Sequence, residues 1–326
     1  MKNYFTCVAT LLVTLGSMAQ TQVDLSELSF KETESQTALY VQYAAKTRLS
    51  TETTSQSKIV LDLGSGFAEV VQSQENRLKV RAEIVISLKN KKKIAQELED
   101  LELYIEHEGS NVKLVSKFDY NNEDKKIFKG FFSSPERKIN VKIFIPKDLP
   151  VKLKDRSGDL AINNITNDVR LSDGSGSIRI DGLDGDLNLK DNAGDIALDN
   201  LNQRIADADS KTVKIIDSSG SIYLKNANGQ TEIDDSSGDI EITNLGGSLE
   251  IDDTSGSIRA ENVGGDTIVD DTSGEITINS VDGSITISDT SGGIYVDTVS
   301  KDVTLKRDGS GAFSTKNVQG SINKRG

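Results

Sequence analysis

The sequence is short of several residue types, and each shortage removes a class of function. In 326 residues there is one cysteine, Cys7, and no tryptophan. Cys7 lies in the N-terminal apolar run, so the rest of the chain has no disulfide, thiolate nucleophile or cysteine metal site available. The single histidine, His107, stands far from the serine-rich second half, which excludes serine–histidine nucleophile pairs there. The three prolines are Pro135, Pro146 and Pro150, and none follows. Aromatic residues make up 5% of the chain, and thirteen of the sixteen precede residue 150. Basic residues also run out: between positions 226 and 300, Arg259 alone faces 16 acidic residues. A surface of that sign repels phosphate backbones, which excludes nucleic acid and favours cations or a basic partner. The acidity belongs to one half. Residues 1–150 carry 21 Lys/Arg against 20 Asp/Glu, whereas residues 151–326 carry 17 against 31.

The N-terminus has the form of a secretory signal, residues 1–19. Lys2 supplies the positive start, Phe5 to Gly16 the apolar run, and Ser17-Met18-Ala19 a small-x-small cleavage site. The run is too short to span a membrane. The expected product is exported to the periplasm or cell surface, begins at Gln20, and has no transmembrane span after cleavage.

Residues 20–150 are not repetitive. Apolar and polar residues alternate, as in half-buried strands, over Ala38–Tyr43, Lys58–Leu63, Leu78–Leu88, Leu101–Ile105, Val112–Phe118 and Ile139–Ile145. Between Asn90 and Asp100 the pattern changes: Ile94 and Leu98 are four apart among Lys, Gln and Glu, which predicts one short helix. Gly109-Ser110-Asn111 predicts a hairpin turn. The expectation is a small, mostly antiparallel β domain with one short helix.

Residues 151–326 repeat. Asp217-Ser218-Ser219-Gly220 returns as Asp235-Ser236-Ser237-Gly238, Asp253-Thr254-Ser255-Gly256, Asp271-Thr272-Ser273-Gly274 and Asp289-Thr290-Ser291-Gly292, at an interval of 18 residues. Relative to the motif glycine, apolar residues recur at +2, +4, +7, +11 and +13; after Gly238 they are Ile240, Ile242, Leu245, Leu249 and Ile251. Two short strands per unit cannot bury such faces alone, but stacked units can. This predicts a parallel β-solenoid of about nine 18-residue coils, with aliphatic columns inside and acids and hydroxyls outside. The lack of proline agrees, since each interior strand must donate to its neighbours. One interval, Gly194 to Gly220, is 26 residues long, and its extra length around Arg204–Lys211 is expected to form a loop.

The join between the halves carries a resemblance. Ile143-Phe144-Ile145-Pro146-Lys147-Asp148-Leu149-Pro150-Val151-Lys152-Leu153, followed by Ser157-Gly158-Asp159-Leu160 and the coils, resembles the bacterial adhesin-like family known as DUF4097. The resemblance implies an exported β-solenoid with a small β-rich cap over residues 20–150. It implies a non-enzymatic binding or scaffold role at the cell envelope, toward an envelope protein or a glycan, and supplies no catalytic residues.

Four candidate chemistries remain to be placed. The adjacent acids Asp234-Asp235, Asp252-Asp253 and Asp270-Asp271 are the candidate metal ligands, for a calcium-stabilised acidic rod related to calcium β-rolls. In those β-rolls the Asp follows the glycines, whereas here it precedes the Gly by three residues. Val60-Leu61-Asp62-Leu63-Gly64-Ser65-Gly66 looks like the strand and glycine loop of S-adenosylmethionine enzymes, but no βαβ alternation follows, and a strand–turn–strand is expected. A polysaccharide-active β-helix enzyme would need long loops forming a cleft, and only one coil here is lengthened. The outward position +3 forms a candidate binding face that includes Tyr223, Glu241, Arg259 and Tyr295. The final coil, Ser321 to Gly326, is a candidate edge for end-to-end self-association. No cofactor is expected.

Overall fold

The computed structural model of the protein describes residues 11–15, 18–37, 40–119, 136–204 and 210–324. The chain forms two compact units, Met1–Leu160 and Ala161–Gly326.

In the first unit eleven strands fall into two groups among the described residues. One group runs in the order β1 (Leu11–Leu15), β2 (Met18–Gln22), β8 (Leu101–Glu108), β9 (Asn111–Phe118), β5 (Lys58–Leu63) and β11 (Val151–Lys154). The other runs β6 (Ala68–Ser73), β10 (Arg137–Pro146), β7 (Arg77–Leu88), β4 (Tyr40–Glu52) and β3 (Lys31–Thr37). The antiparallel pairs include the hairpin β8–β9, turning at Gly109-Ser110, and the long β4–β7 ladder. β5 lies parallel to β9 and β11, and β6 parallel to β10. Period-2 alternation does its expected work: Ile59, Leu61 and Leu63 of β5 are buried, as are Leu78, Val80, Ala82, Ile84 and Ile86 of β7. β3 and β6 lie outside the segments the alternation marked, and β4 continues to Glu52.

The predicted helix is there and is brief. A 3₁₀ turn at Lys91–Lys93, capped by Asn90 Oδ1 accepting from the Lys92 amide at 3.0 Å, leads into α1 (Ile94–Glu97). Ile94 and Leu98 point into the core. Arg137 holds the segment down. Its buried guanidinium donates to Asp100 Oδ2 at 3.3 Å and to the Glu97 carbonyl at 3.2 Å, and lies 4.9 Å from the centre of the Phe118 ring.

The Val60–Gly66 stretch is a strand–turn–strand, β5 to β6. Gly66 has φ +132° and Gly158 φ +131°. Ser65 and Ser157 pair in parallel, and a Cβ on Gly158 would overlap the Gly66 carbonyl oxygen. The glycine loop is therefore a coil corner.

The second unit is the parallel solenoid. Each coil contributes one strand to each of two sheets. Consecutive examples are Gln230–Asp235, Ile240–Leu245, Leu249–Asp253 and Ile258–Val263. Ile240 pairs with Ile258, Ile258 with Ile276 and Ile276 with Ile294, so residues 18 apart stand in one column. These isoleucines are at most 1% exposed. The +11 column includes buried Thr231 and Thr267 among its aliphatic residues. Gly238 and Gly256, at φ +145° and +146°, turn the corner where a Cβ would strike the carbonyl oxygen of the glycine one coil back. The hydroxyls help: Ser237 donates to the Ser218 carbonyl, and Ser255 to the Ser236 carbonyl, both at 3.2 Å.

The second corner uses a left-handed residue. Asn226, Asn244 and Asn262 have φ of 52°, 61° and 59°. Their side chains bond along the stack, Asn244 Nδ2 to Asn226 Oδ1 and Asn262 Nδ2 to Asn244 Oδ1, each at 3.0 Å. Asparagine tolerates this conformation better than other residues with a Cβ, and here the amide is also satisfied.

The lengthened coil is anchored at its base. Arg204 Nε donates to the buried carboxylate of Asp184 at 2.6 Å, and Gly185 donates to Asn202 Oδ1 at 2.8 Å. Residues 205–209 of the expected loop lie outside the described residues. Near the end of the stack the pairing slips by one residue between Ile287 and Ser288, because Gly292 and Gly311 are 19 apart instead of 18.

One expectation is corrected. The acids do not all line the outside. The aspartate that opens each Asp-Ser/Thr-Ser-Gly motif faces inward: Asp217, Asp235, Asp253, Asp271 and Asp289 are each 1% exposed. The reason is parity. Leu249, Ile251 and Asp253 occupy alternate positions of one strand and share its inner face.

Candidate functional site

Asp235, Asp253, Asp271 and Asp289 stack in register, as does Asp217 below them. One oxygen of each closes its own corner. Oδ1 of Asp235, Asp253 and Asp271 accepts from the amide two residues on, at 3.1, 3.1 and 2.9 Å. The other oxygen, Oδ2, of Asp191, Asp217, Asp235, Asp253 and Asp271 is buried without a hydrogen-bond partner. Desolvation disfavours a charge there, and the neighbours in the column add like-charge repulsion. Burial, with Asp235 and Asp271 beside it, pushes Asp253 up to about 7. Burial and Asp235 push Asp217 up to about 6, and burial and Asp289 push Asp271 up to about 6. Burial raises Asp191 and Asp235 as well.

The candidate metal ligands are thereby separated. In each adjacent pair the strand pleat turns one carboxylate out and the other in: Asp234, Asp252 and Asp270 are exposed, whereas Asp235, Asp253 and Asp271 are buried. The two acids of a pair do not converge on one position. Among the described residues, no group of three or more His, Cys, Asp or Glu side chains is placed to hold a metal ion.

The outward acids form two neighbouring columns. In one, Lys214, Glu232, Glu250 and Ile268 follow each other strand by strand; in the other, Ile216, Asp234, Asp252 and Asp270 do so. Lys214 is ion-paired with Glu232. Glu250, Asp234, Asp252 and Asp270 thus crowd one face, beside an Ile268 that is 44% exposed. Partial burial, with Asp234 and Asp270 on either side, raises the Asp252 carboxyl above its usual range.

On the other sheet the expected face is a single column. Tyr223 pairs with Glu241, Glu241 with Arg259, Arg259 with Thr277 and Thr277 with Tyr295. The tyrosines are exposed, 43% and 42%. Four strand steps, about 19 Å, separate them, so their rings do not form one platform. His107 of β8 is hydrogen-bonded through Nε2 to the Thr51 hydroxyl at 2.8 Å. In the final described coil Ile322 is 51% exposed, and Lys324 Nζ lies 5.8 Å from the centre of the Phe313 ring. Arg325 and Gly326 lie outside the described residues.

The inward aspartates were missed as a column because charge was expected outside. The signal was present in the sequence: counted from Gly238, the motif Asp253 stands at +15, the same parity as Leu249 at +11 and Ile251 at +13.

Comparison with solved structures finds several similar chains. A candidate cell adhesion protein from Clostridium sporogenes is 12% identical, with 86% of this chain and 100% of that one covered and a TM-score of 0.32. A candidate lipid binding protein from Parabacteroides distasonis is 19% identical, with 86% and 97% covered and a TM-score of 0.37. A candidate adhesin from Bacteroides fragilis is 12% identical, with 86% and 97% covered and a TM-score of 0.25. No curated protein matches. The profile of the family described as Toastrack DUF4097 matches residues 56–264, and the chain therefore belongs to that family.

Proposed function

We propose that the protein is an exported, non-enzymatic, adhesin-like binding or scaffold element of the bacterial cell envelope, working through the flat outer faces of its solenoid. One observation carries this reading: the outward columns of Glu232, Glu250, Asp234, Asp252 and Asp270 are held in register on a regular sheet, like charge beside like charge. Such an array is unfavourable alone and is relieved by a partner of opposite sign. The exposed Ile268 next to Glu250 adds apolar contact area at the same place. The partner that fits is a basic segment of an envelope protein, with a glycan lying across the polar face as the alternative.

Export is supported by the form of the N-terminus. Cleavage after Ala19 would remove β1 and the start of β2, and leave in place the pairing of β2 with β8, which begins at Gln20. Among the described residues no helix is long and apolar enough to cross a membrane.

A lysine-rich peptide titrated against the mature protein tests the reading. Binding should weaken as salt rises and should be lost in E232Q/E250Q/D252N at a melting temperature no lower than that of the parent protein. Binding that survives the triple substitution removes this face from the proposal.

A further inference from the structure

The inward aspartate column has no part in a binding face, and it is the least expected feature of the core. Carboxyl groups 18 residues apart are stacked one per coil, with strands about 4.8 Å apart. Each is fixed from one side by the corner amide two residues ahead. Oδ2 of Asp191, Asp217, Asp235, Asp253 and Asp271 meets no donor. Across the interior, the facing strands present Ile222, Ile240, Ile258, Ile276 and Ile294, all buried. The charged groups that act on each carboxylate are its neighbours in the column, with Asp234 and Asp270 on the outer face of the same strands. No cation among them offsets the charge.

A row of ionised carboxylates in that setting would combine desolvation with repulsion from both sides. We infer that the column is a proton store: its central aspartates hold their protons in mildly acidic solution, where surface aspartates have already lost theirs, and releasing them on the way to neutral pH loosens the solenoid. The protonated carboxyl still accepts from the corner amide through Oδ1, so the turn survives while the charge is absent. The column thereby makes the solenoid responsive to a rise from mildly acidic to neutral pH.

The direction of the pH effect follows from linkage. Asp217, Asp253 and Asp271 titrate at about 6, 7 and 6 in the folded protein, against 3.8 for an unperturbed aspartate. The folded state thus holds protons that the unfolded chain has released. The stability these groups provide is complete below the unfolded value and is lost as pH rises through the folded values.

Two measurements on the full mature protein test this. The first is thermal unfolding at constant ionic strength across mildly acidic to mildly alkaline pH. Tm should fall as pH rises, and D235N/D253N/D271N should flatten that slope. D234N/D252N/D270N, which alters only the outward carboxylates of the same strands, should keep it. The second needs no variant and stands even if the inward triple fails to fold: carbon-13 NMR of the aspartate carboxyls in the native protein. Several should titrate more than two pH units above the surface aspartates. Inward carboxyls that all titrate together with the surface aspartates would overturn the inference. So would a Tm that is flat or rises with pH, or a calcium-dependent rise in Tm at alkaline pH, beyond matched ionic strength, that the inward triple abolishes.

Discussion

The two units of this chain are both made of strands, yet they hold themselves together differently. The first relies on contacts that occur once. Arg137 joins Glu97, Asp100 and Phe118, and Arg81 lies 5.0 Å from the centre of the Phe144 ring. The second repeats the same few contacts on every coil: a glycine corner, an asparagine ladder, aliphatic columns and a column of acids. Aromatics are used where a contact is singular and are nearly absent where it is repeated; Phe313, in the last coils, continues the column of Ile294. A fault in the first unit should therefore have an individual cost, whereas a fault in the second should depend on its position within the coil and hardly on which coil is chosen.

The comparison breaks most visibly at glycine. Gly256→Ala places a Cβ against the Gly238 carbonyl at φ +146°, where no neighbouring atom is free to give way. The expected result is loss of cooperative unfolding or of soluble protein. Gly109→Ala in the β8–β9 turn, at φ +61° with open space around it, should cost only about 1 kcal/mol by denaturant unfolding.

Next come buried side chains. Arg137→Met leaves the carboxylates of Glu97 and Asp100 in a largely buried place without this cation, and should cost about 3–5 kcal/mol. Ile276→Ala opens a hole in a packed column and should cost about 2–5 kcal/mol. Ile240→Ala and Ile258→Ala should match Ile276→Ala closely; a wide spread among the three would mean that the coils are not equivalent.

Smaller effects sharpen the same point. Asn244→Ala removes the amide that accepts from Asn262 and leaves an alanine at φ +61°, for an expected cost of about 1–2 kcal/mol. Asn244→Gly restores the backbone freedom and should recover part of that loss. Arg259→Ala, on the exposed Tyr223–Tyr295 column, should change stability by less than about 0.5 kcal/mol.

Much of this architecture can be read from residue spacing alone. The interval between motif glycines predicts that Ile240, Ile258 and Ile276 share a column, because a constant coil length admits no other register. The short helix is legible from the spacing of Ile94 and Leu98. Three features are not, for separate reasons. The corner at Gly66 belongs to the same class as that at Gly158, but the two stand 92 positions apart with β7 to β10 between them, and the interval hides the kinship. The asparagine ladder depends on a left-handed backbone that an alternation count does not see. The inward aspartates obey alternation but contradict the rule that charges face water. The geometry resolves that conflict by turning one carboxylate oxygen to the corner amide and burying the other.

The stacked glycine corner gives the second unit a graduated length. Removing residues 239–256 would join Gly238 to Ser257 and Ile258, which occupy the places of Asp239 and Ile240. The cut edges would meet with every column still aligned. The rod is thus a ruler marked in whole turns, and its gene can add or erase a mark without inventing a new interior.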